Sequence, residues 1–371
     1  MSFSSSMSKQ QVLEVAGDEV GGGGGEEVME LIPGLPEEVA EKCLLHLPFL
    51  YHRLFRTVSS TWNRFLTVSP AKFPSAAAAS VSLSLPFLFA FAFDPASRRL
   101  QCQALDPFSR RWLLLPPVPG GAAAAGSFAV VGLPRRGEIY VIGGVEEGGD
   151  KAVRSVAVYS AARNGWEEAA GMGTARGYMA AAGEVGGRLV VAGEDGEAEV
   201  FDPEEGRWAP AAARRGAAVA RVGVAVRAGA ARRGVRRGVG LVVGDGARGM
   251  REGWTGSCAV AGGRMYIVAE YGEWRLKRYD EPRDEWRMVA GSGVPPEVRR
   301  PHVVSGEVEE VGSGGRRRIY VVGAGLDVAI GTVSPSPAIH GGDDERVDWE
   351  VVKGPAEFAG LAPCNAQVLY A

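Results

Sequence analysis

A tryptophan stands seven positions after an aromatic or leucine side chain four times in this chain: Leu105 and Trp112 in LDPFSRRW, Tyr159 and Trp166 in YSAARNGW, Phe201 and Trp208 in FDPEEGRW, Tyr279 and Trp286 in YDEPRDEW. Three copies carry Asp after the first residue and two carry Asp-Pro, a turn-opening pair, so each copy predicts strand, turn, strand. A second mark lies upstream. Ile139-Tyr140-Val141-Ile142-Gly143-Gly144 precedes Tyr159, Leu189-Val190-Val191-Ala192-Gly193 precedes Phe201, and Met265-Tyr266-Ile267-Val268 precedes Tyr279. Ile319-Tyr320-Val321-Val322-Gly323 repeats the mark, with Trp349 as its closing tryptophan.

One unit therefore holds an apolar strand, a Gly-rich or basic turn, an apolar strand ending in Gly, a loop, a strand ending in Tyr/Phe-Asp, and a strand starting at Trp. Four strands in roughly 40–50 residues is the size of a β-propeller blade. The tryptophans at 112, 166, 208, 286 and 349 are spaced 54, 42, 78 and 63 residues apart. The spacing of 78 spans two blades, with one closing tryptophan missing or displaced to Trp254. The expected fold is an all-β propeller over residues 86–371 with six blades, one degenerate; five blades is the alternative. The strand Ala366 to Tyr370 is expected to pair within the first or last blade and close the ring. The 53 glycines are about twice the usual share, which suits short strands joined by tight turns.

Residues 211–250 break the pattern, with nine Arg, one Asp, no Lys and no aromatic residue where a blade is due. Three readings stand: a basic loop for an acidic partner, an irregular solvated insertion, or a short out-of-frame stretch of a GC-rich gene. The abrupt recovery at Gly253-Trp254-Thr255-Gly256-Ser257-Cys258 favours the last.

The N-terminal part has another character. Residues 1–29 are Ser-rich, then acidic, and include the run Gly21 to Gly25, so they are expected to form a disordered tail. Residues 30–75 predict three short helices. Pro36, Glu37 and Glu38 suit a helix start, Leu35, Val39, Cys43 and Leu47 form one apolar stripe, and Pro48 ends that helix. A second segment covers Phe49 to Phe55. A third, from about Val58 to Leu66, places Val58, Trp62 and Phe65/Leu66 on one face. So small a unit is expected to complete its core on a partner. Residues 76–85, small and polar between Pro74 and Pro86, read as a linker.

These residues carry a resemblance. Met29 to Leu44 (MELIPGLPEEVAEKCL) followed by Val58-Ser59-Ser60-Thr61-Trp62 looks like an F-box, and the Trp units with their Gly-ended strands resemble kelch repeats. Together, over about 30–371, they resemble the plant F-box/kelch-repeat proteins. The kelch half departs in places. Gly-Gly stands only at Gly143-Gly144, is reduced to Ala192-Gly193 and Val322-Gly323, and is replaced at Ala269. The resemblance implies the substrate-recognition subunit of a cullin–RING ubiquitin ligase of SCF type. Its F-box would bind a Skp-type adaptor and its propeller the protein to be ubiquitinated. The adaptor-facing candidates are Leu35, Pro36, Val39, Leu44, Leu47, Leu54, Val58 and Trp62. Substrate contacts belong on the loops at one mouth of the propeller, where Arg176 in Gly173-Thr174-Ala175-Arg176-Gly177 is a candidate to grip acidic segments. The opening and the later REGWTGSCAV are similar to a subgroup acting on phenylpropanoid and flavonoid enzymes, phenylalanine ammonia-lyase and chalcone synthase, or on type-B cytokinin response regulators.

Two competing readings are a kelch interaction scaffold without ligase activity and a kelch-type enzyme. His46, His52, His302 and His340 have no metal-ligand spacing, so no metal, cofactor or catalytic residue is expected. His46 reads as a surface residue, Trp112, Trp166, Trp208 and Trp286 as blade-core residues, and Asp343-Asp344-Glu345 as a solvated loop. A net charge of −3 argues against a nucleic-acid partner, and no run of 18 apolar residues argues for a membrane span. The scattered Cys43, Cys102, Cys258 and Cys364, without a secretory leader, read as reduced thiols in the cytoplasm and/or nucleus.

Overall fold

The computed structural model describes residues 30–68, 85–97, 99–119, 128–146, 151–161, 163–177, 179–193, 197–211, 249, 252, 258–262, 264–269, 274–301, 303–306, 317–336 and 344–370. The expectations for 1–29, for most of the linker and for nearly all of 211–250, with Trp254, fall outside them.

The apolar run PFLFAFAFD becomes strand β1 (Pro86–Asp94), buried from Pro86 to Ala92. The period-2 geometry of a strand sends Phe87, Phe89 and Phe91 to one face and Leu88, Ala90 and Ala92 to the other. Both sets join hydrophobic clusters, the first with the second blade and the second with the last. A strand covered on both faces must be apolar at every position, which is why it reads as a continuous run. β1 lies between β2 (Arg99–Asp106) and β21 (Ala362–Tyr370), with β3 (Arg111–Leu114) outermost, so the first sheet has the order β21-β1-β2-β3. The chain end thus closes the ring in the first blade, from Ala362 rather than Ala366.

Four more sheets follow. The second is β4 (Ala129–Leu133), β5 (Glu138–Ile142), β6 (Val156–Ser160) and β7 (Gly165–Ala169). The third is β8 (Met179–Val185), β9 (Arg188–Gly193), β10 (Ala198–Asp202) and β11 (Arg207–Pro210). The fourth is β12 (Cys258–Ala261), β13 (Arg264–Val268), β14 (Leu276–Asp280) and β15 (Glu285–Met288). The last is β17 (Val303–Gly306), β18 (Arg317–Val322), β19 (Val328–Pro335) and β20 (Glu345–Val352), with the short β16 (Ala290–Gly291) parallel to β20. Innermost strands pack side by side in the series β12, β17, β21, β4, β8. Five blades are therefore present among the described residues. The sixth was expected over 211–250, between β11 and β12.

The tryptophan repeat is a cross-strand pair. Leu105, Tyr159, Phe201 and Tyr279 stand directly opposite Trp112, Trp166, Trp208 and Trp286. In the three aromatic pairs the rings lie 5.3, 5.1 and 5.3 Å apart, the separation at which tilted rings attract. The Asp that follows caps the turn: Asp106 Oδ1 accepts from the N–H of Phe108 and Ser109, and Asp202 Oδ1 from Glu204 and Glu205. Two residues before each Trp the backbone is left-handed, at Arg110 (φ 57°), Asn164 (φ 45°), Gly206 (φ 63°) and Asp284 (φ 54°). The tryptophans are half-buried on the outermost strands, and Trp112, Trp166 and Trp208 pack against the hydrophobic clusters of the core. Three of them bind the preceding blade: Trp166 Nε1 donates to Pro116 O (3.0 Å), Trp208 to Ala170 O (2.7 Å) and Trp349 to Ser292 O (3.1 Å).

In the last blade the position opposite Trp349 is Gly331, and a Cβ there would lie 2.6 Å from the Trp349 ring. Gly331→Val is expected to lower stability by about 1–3 kcal/mol through overpacking, read as a fall in the thermal midpoint. Gly360→Ala, with open space at its Cβ, is the control, and equal midpoints for the two variants would contradict this packing.

Acidic 343–345 is not a solvated loop throughout. Asp344 is exposed, but Glu345 opens β20 and is buried. Its carboxylate accepts from Arg264 Nη1 (2.7 Å), Arg317 Nη1 (2.8 Å) and the Tyr266 hydroxyl (3.0 Å), tying the fourth blade to the last.

Candidate functional site

The N-terminal unit folds as three short helices: α1 (Glu37–Leu45), a 3₁₀ turn (Phe49–Tyr51) running into α2 (His52–Phe55), and α3 (Ser60–Val68). Gly34, in the left-handed region (φ 81°), allows the turn in which Leu35 N–H donates to Ile32 O. Pro36 then caps α1, its carbonyl accepting from Val39 and Ala40. α3 starts two residues later than expected because Ser59 caps it: its Oγ accepts the Trp62 N–H at 3.1 Å. Val58 is therefore outside the helix.

The inner side of the unit is formed by Leu31, Ala40, Leu44, Leu50, Phe65 and Leu66, all buried. Trp62 and Leu47 are half-buried against this cluster, and Trp62 Nε1 donates to Leu31 O at 2.7 Å. His52 is buried and bonded to the Leu47 carbonyl (3.0 Å). Burial depresses its pKa below the ordinary histidine value. His46 is exposed, as expected.

The outer side is apolar too. Leu35, Val39, Leu54 and Val58 are 38%, 43%, 60% and 60% exposed, and Pro36 and Cys43 are exposed beside them. The stripe Leu35–Val39–Cys43 thus points to solvent, and Ala40 and Leu44 supply the buried face instead. The structure divides the eight adaptor-facing candidates accordingly. Leu35, Pro36, Val39, Leu54 and Val58 are available to a partner; Leu44 is core; Leu47 and Trp62 support the unit from its interior edge.

The unit is joined to the propeller at Tyr51. Its ring meets Phe87 edge-on at 6.0 Å, and its hydroxyl donates to Asp106 Oδ2 at 2.5 Å, where the Ser109 hydroxyl also donates at 2.7 Å. Burial, then the bond to Asp106, raises the Tyr51 phenol pKa. Burial would raise the Asp106 carboxyl, but bonds from Tyr51, Ser109 and the Phe108 amide outweigh it and hold the carboxyl below its usual range. Of this joint the sequence marks only Asp106, as a turn former, and nothing in the spacing marks Tyr51 as its partner.

Arg176 is not at the propeller surface. It is 4% exposed, and its Nη2 lies 3.2 Å from Glu199 Oε1. The same carboxylate accepts from the Gly173 and Thr174 amides at 2.7 and 3.1 Å, so the pair fixes the turn that enters the third blade. A buried guanidinium held in this way does not present itself to a substrate, which corrects the expected grip. His302 and His340 lie outside the described residues. Among the described residues no three His, Cys, Asp or Glu side chains form a group fit for a metal. No helix of theirs is long and apolar enough to cross a membrane.

Residues 32–72 match the model of the F-box domain. The chain is similar over most of its length to two proteins of Arabidopsis thaliana. F-box protein AFR is 34% identical over 365 residues, covering 92% of each chain. F-box/kelch-repeat protein At1g30090 is 29% identical, covering 92% of this chain and 87% of its own. A third, F-box/kelch-repeat protein At1g80440, is 29% identical over 48% of this chain and 54% of its own.

Proposed function

The chain belongs to the plant F-box/kelch-repeat family, and from that membership we propose a division of labour within an SCF-type ubiquitin ligase. An F-box joined to a kelch-type propeller is the build of a substrate receptor, and F-box domains bind Skp-type adaptors. The outer side of the unit, with Leu35, Pro36, Val39, Leu54 and Val58, takes the adaptor; this exposed apolar side on a unit whose other side is already filled is the observation that carries the reading. Tyr51 and Asp106 then hold the propeller in a set orientation to the adaptor, so that a protein on the propeller is presented to the cullin–RING part. Ubiquitin transfer belongs to the other subunits, and this chain contributes no catalytic group.

The proteins presented are phenylalanine ammonia-lyase or chalcone synthase. The support is the likeness of MELIPGLPEEVAEKCL and REGWTGSCAV to the subgroup that acts on such enzymes. The ring has six blades, since the spacing of 78 residues between Trp208 and Trp286 is room for two. The protein works in the cytoplasm and/or nucleus, in keeping with its free cysteines.

Co-expression with each enzyme tests the substrate assignment. The half-life of phenylalanine ammonia-lyase or chalcone synthase is expected to shorten severalfold with the intact chain and to recover on proteasome inhibition. Unchanged half-lives of both enzymes would contradict it.

A further inference from the structure

The N-terminal unit does not close against the propeller along its whole length. Between α2 and the outermost strand β3 lies an open groove of about 730 Å³, within the roughly 300–1,000 Å³ of ligand sites. Leu50, Arg53 and Leu54 line it from the F-box; the run Arg111 to Leu115 lines it from the first blade. Leu54 and Leu114 leave 60% and 69% of their surface exposed across it.

Three features describe what would fit. The first is charge. Arg53, Arg110, Arg111 and Lys353 all line the groove, and among the described residues no carboxylate does. Among the described residues Arg53 and Arg111 meet no carboxylate at ion-pair distance. Arg110 pairs with Glu350, and Lys353 with Asp327, through side chains that are each 59% exposed, and such pairs hold their partners weakly.

The second feature is backbone. β3 is the outer strand of its sheet, and five consecutive residues from Arg111 run along the groove. An outer strand offers a row of N–H and C=O groups to an extended peptide, the basis of recognition by strand addition.

The third feature is an indole without an acceptor. Trp166 and Trp208 donate to the carbonyls of Pro116 and Ala170, each four residues past the preceding closing tryptophan. Four residues past Trp349 is Lys353, which lines the groove instead, and the buried Nε1 of Trp112 has no acceptor among the described residues.

We propose that this groove docks an extended acidic segment of the substrate protein. A bulky apolar side chain of the segment sits against Leu113 and Leu114, on the propeller side of the groove, and its carboxylates face Arg53 and Arg111. The proposal rests on the receptor reading and adds to it the chemistry of the recognised segment and its place, beside the adaptor rather than at the mouth of the propeller. A basic, nucleic-acid-like or purely apolar occupant would leave either Arg53 and Arg111 or the two leucines unmatched.

The test uses the full chain co-purified with its adaptor and a short fluorescein-labelled peptide alternating glutamate with leucine. The control peptide carries lysine for glutamate. Binding of the acidic peptide is expected to weaken about tenfold, or ~1.4 kcal/mol, in Arg111→Glu/Leu114→Asp, and the lysine peptide is expected not to bind. Leu114→Asp alone, at an exposed position, is the second variant should the double variant fold poorly. Both substitutions lie on the propeller side, so adaptor capture should be unchanged. Equal affinity of wild type and variants for the acidic peptide, or equal binding of the two peptides, would overturn the groove while leaving the receptor reading intact. A wild-type chain that captures no adaptor would overturn the receptor reading, and the peptide titration on the chain alone would then decide the groove.

Discussion

Glu345→Ala is expected to lower the stability of the propeller by about 3–5 kcal/mol, the range for removing one partner from a buried charge group. The carboxylate side chain is 3% exposed and lies between guanidinium groups of two blades: Arg264 Nη1 at 2.7 Å and Arg278 Nη1 at 3.8 Å from the fourth, Arg317 Nη1 at 2.8 Å from the last. Arg278 and Arg317 are each 9% exposed. Deleting the anion removes the acceptor shared by guanidinium groups of two blades and by the Tyr266 hydroxyl. Glu350→Ala supplies the comparison. Its pair with Arg110 is 2.9 Å long, but the two side chains are 64% and 59% exposed, and such pairs contribute about 0–1 kcal/mol. Denaturant midpoints of the two variants check the claim; a Glu345 variant no less stable than the Glu350 variant would contradict it.

The repeat could be read in the sequence because it is made by contacts seven residues apart. Φ and Trp oppose each other across a short turn, so their spacing survives whatever else varies. Asp at the next position caps the same turn. The left-handed residue two places before Trp was not legible, since only Gly206 announces it by residue type; Arg110, Asn164 and Asp284 adopt it under the demand of the turn. Tyr159 and Tyr279 reinforce it at two of them, donating to Asn164 Oδ1 and Asp284 Oδ1 at 2.7 and 2.6 Å. Non-local pairings gave no signal. The Arg176–Glu199 pair joins residues 23 apart and the Arg264–Glu345 pair residues 81 apart, and no local pattern separates a buried charge of this kind from a solvated one. The helical stripe was legible but not its direction. Leu35, Val39 and Cys43 are periodic, and periodicity shows a face without telling whether it turns to the molecule or away from it. Ala40 and Leu44, on the next row, won the interior because the turn at Gly34 and the packing of Trp62 beneath Leu31 set the rotation of α1.

That outward face carries the second large expectation. Val39→Asp/Leu54→Asp changes two side chains that are 43% and 60% exposed, so stability should shift by no more than about 0.5 kcal/mol per substitution. Binding should suffer far more. Apolar anchors at the centre of an interface are worth roughly 2 kcal/mol or more each, and a charge placed there must be desolvated, so with two anchors changed the adaptor affinity should fall on the order of 1,000-fold. Leu44→Ala separates folding from binding. Leu44 is 1% exposed, and its truncation should cost about 2–5 kcal/mol, loosening the whole unit. The aspartate variant should therefore lose the adaptor with its circular dichroism and thermal midpoint preserved, whereas the Leu44 variant should lose both.

The most direct measurement is co-purification of a Skp-type adaptor with the full chain, wild type beside Val39→Asp/Leu54→Asp. Retention of the adaptor by the wild type and its loss from the folded variant is the predicted result. A wild type that retains no adaptor, or a variant that retains it equally well, would contradict the account and leave a kelch interaction scaffold with an unused helical module.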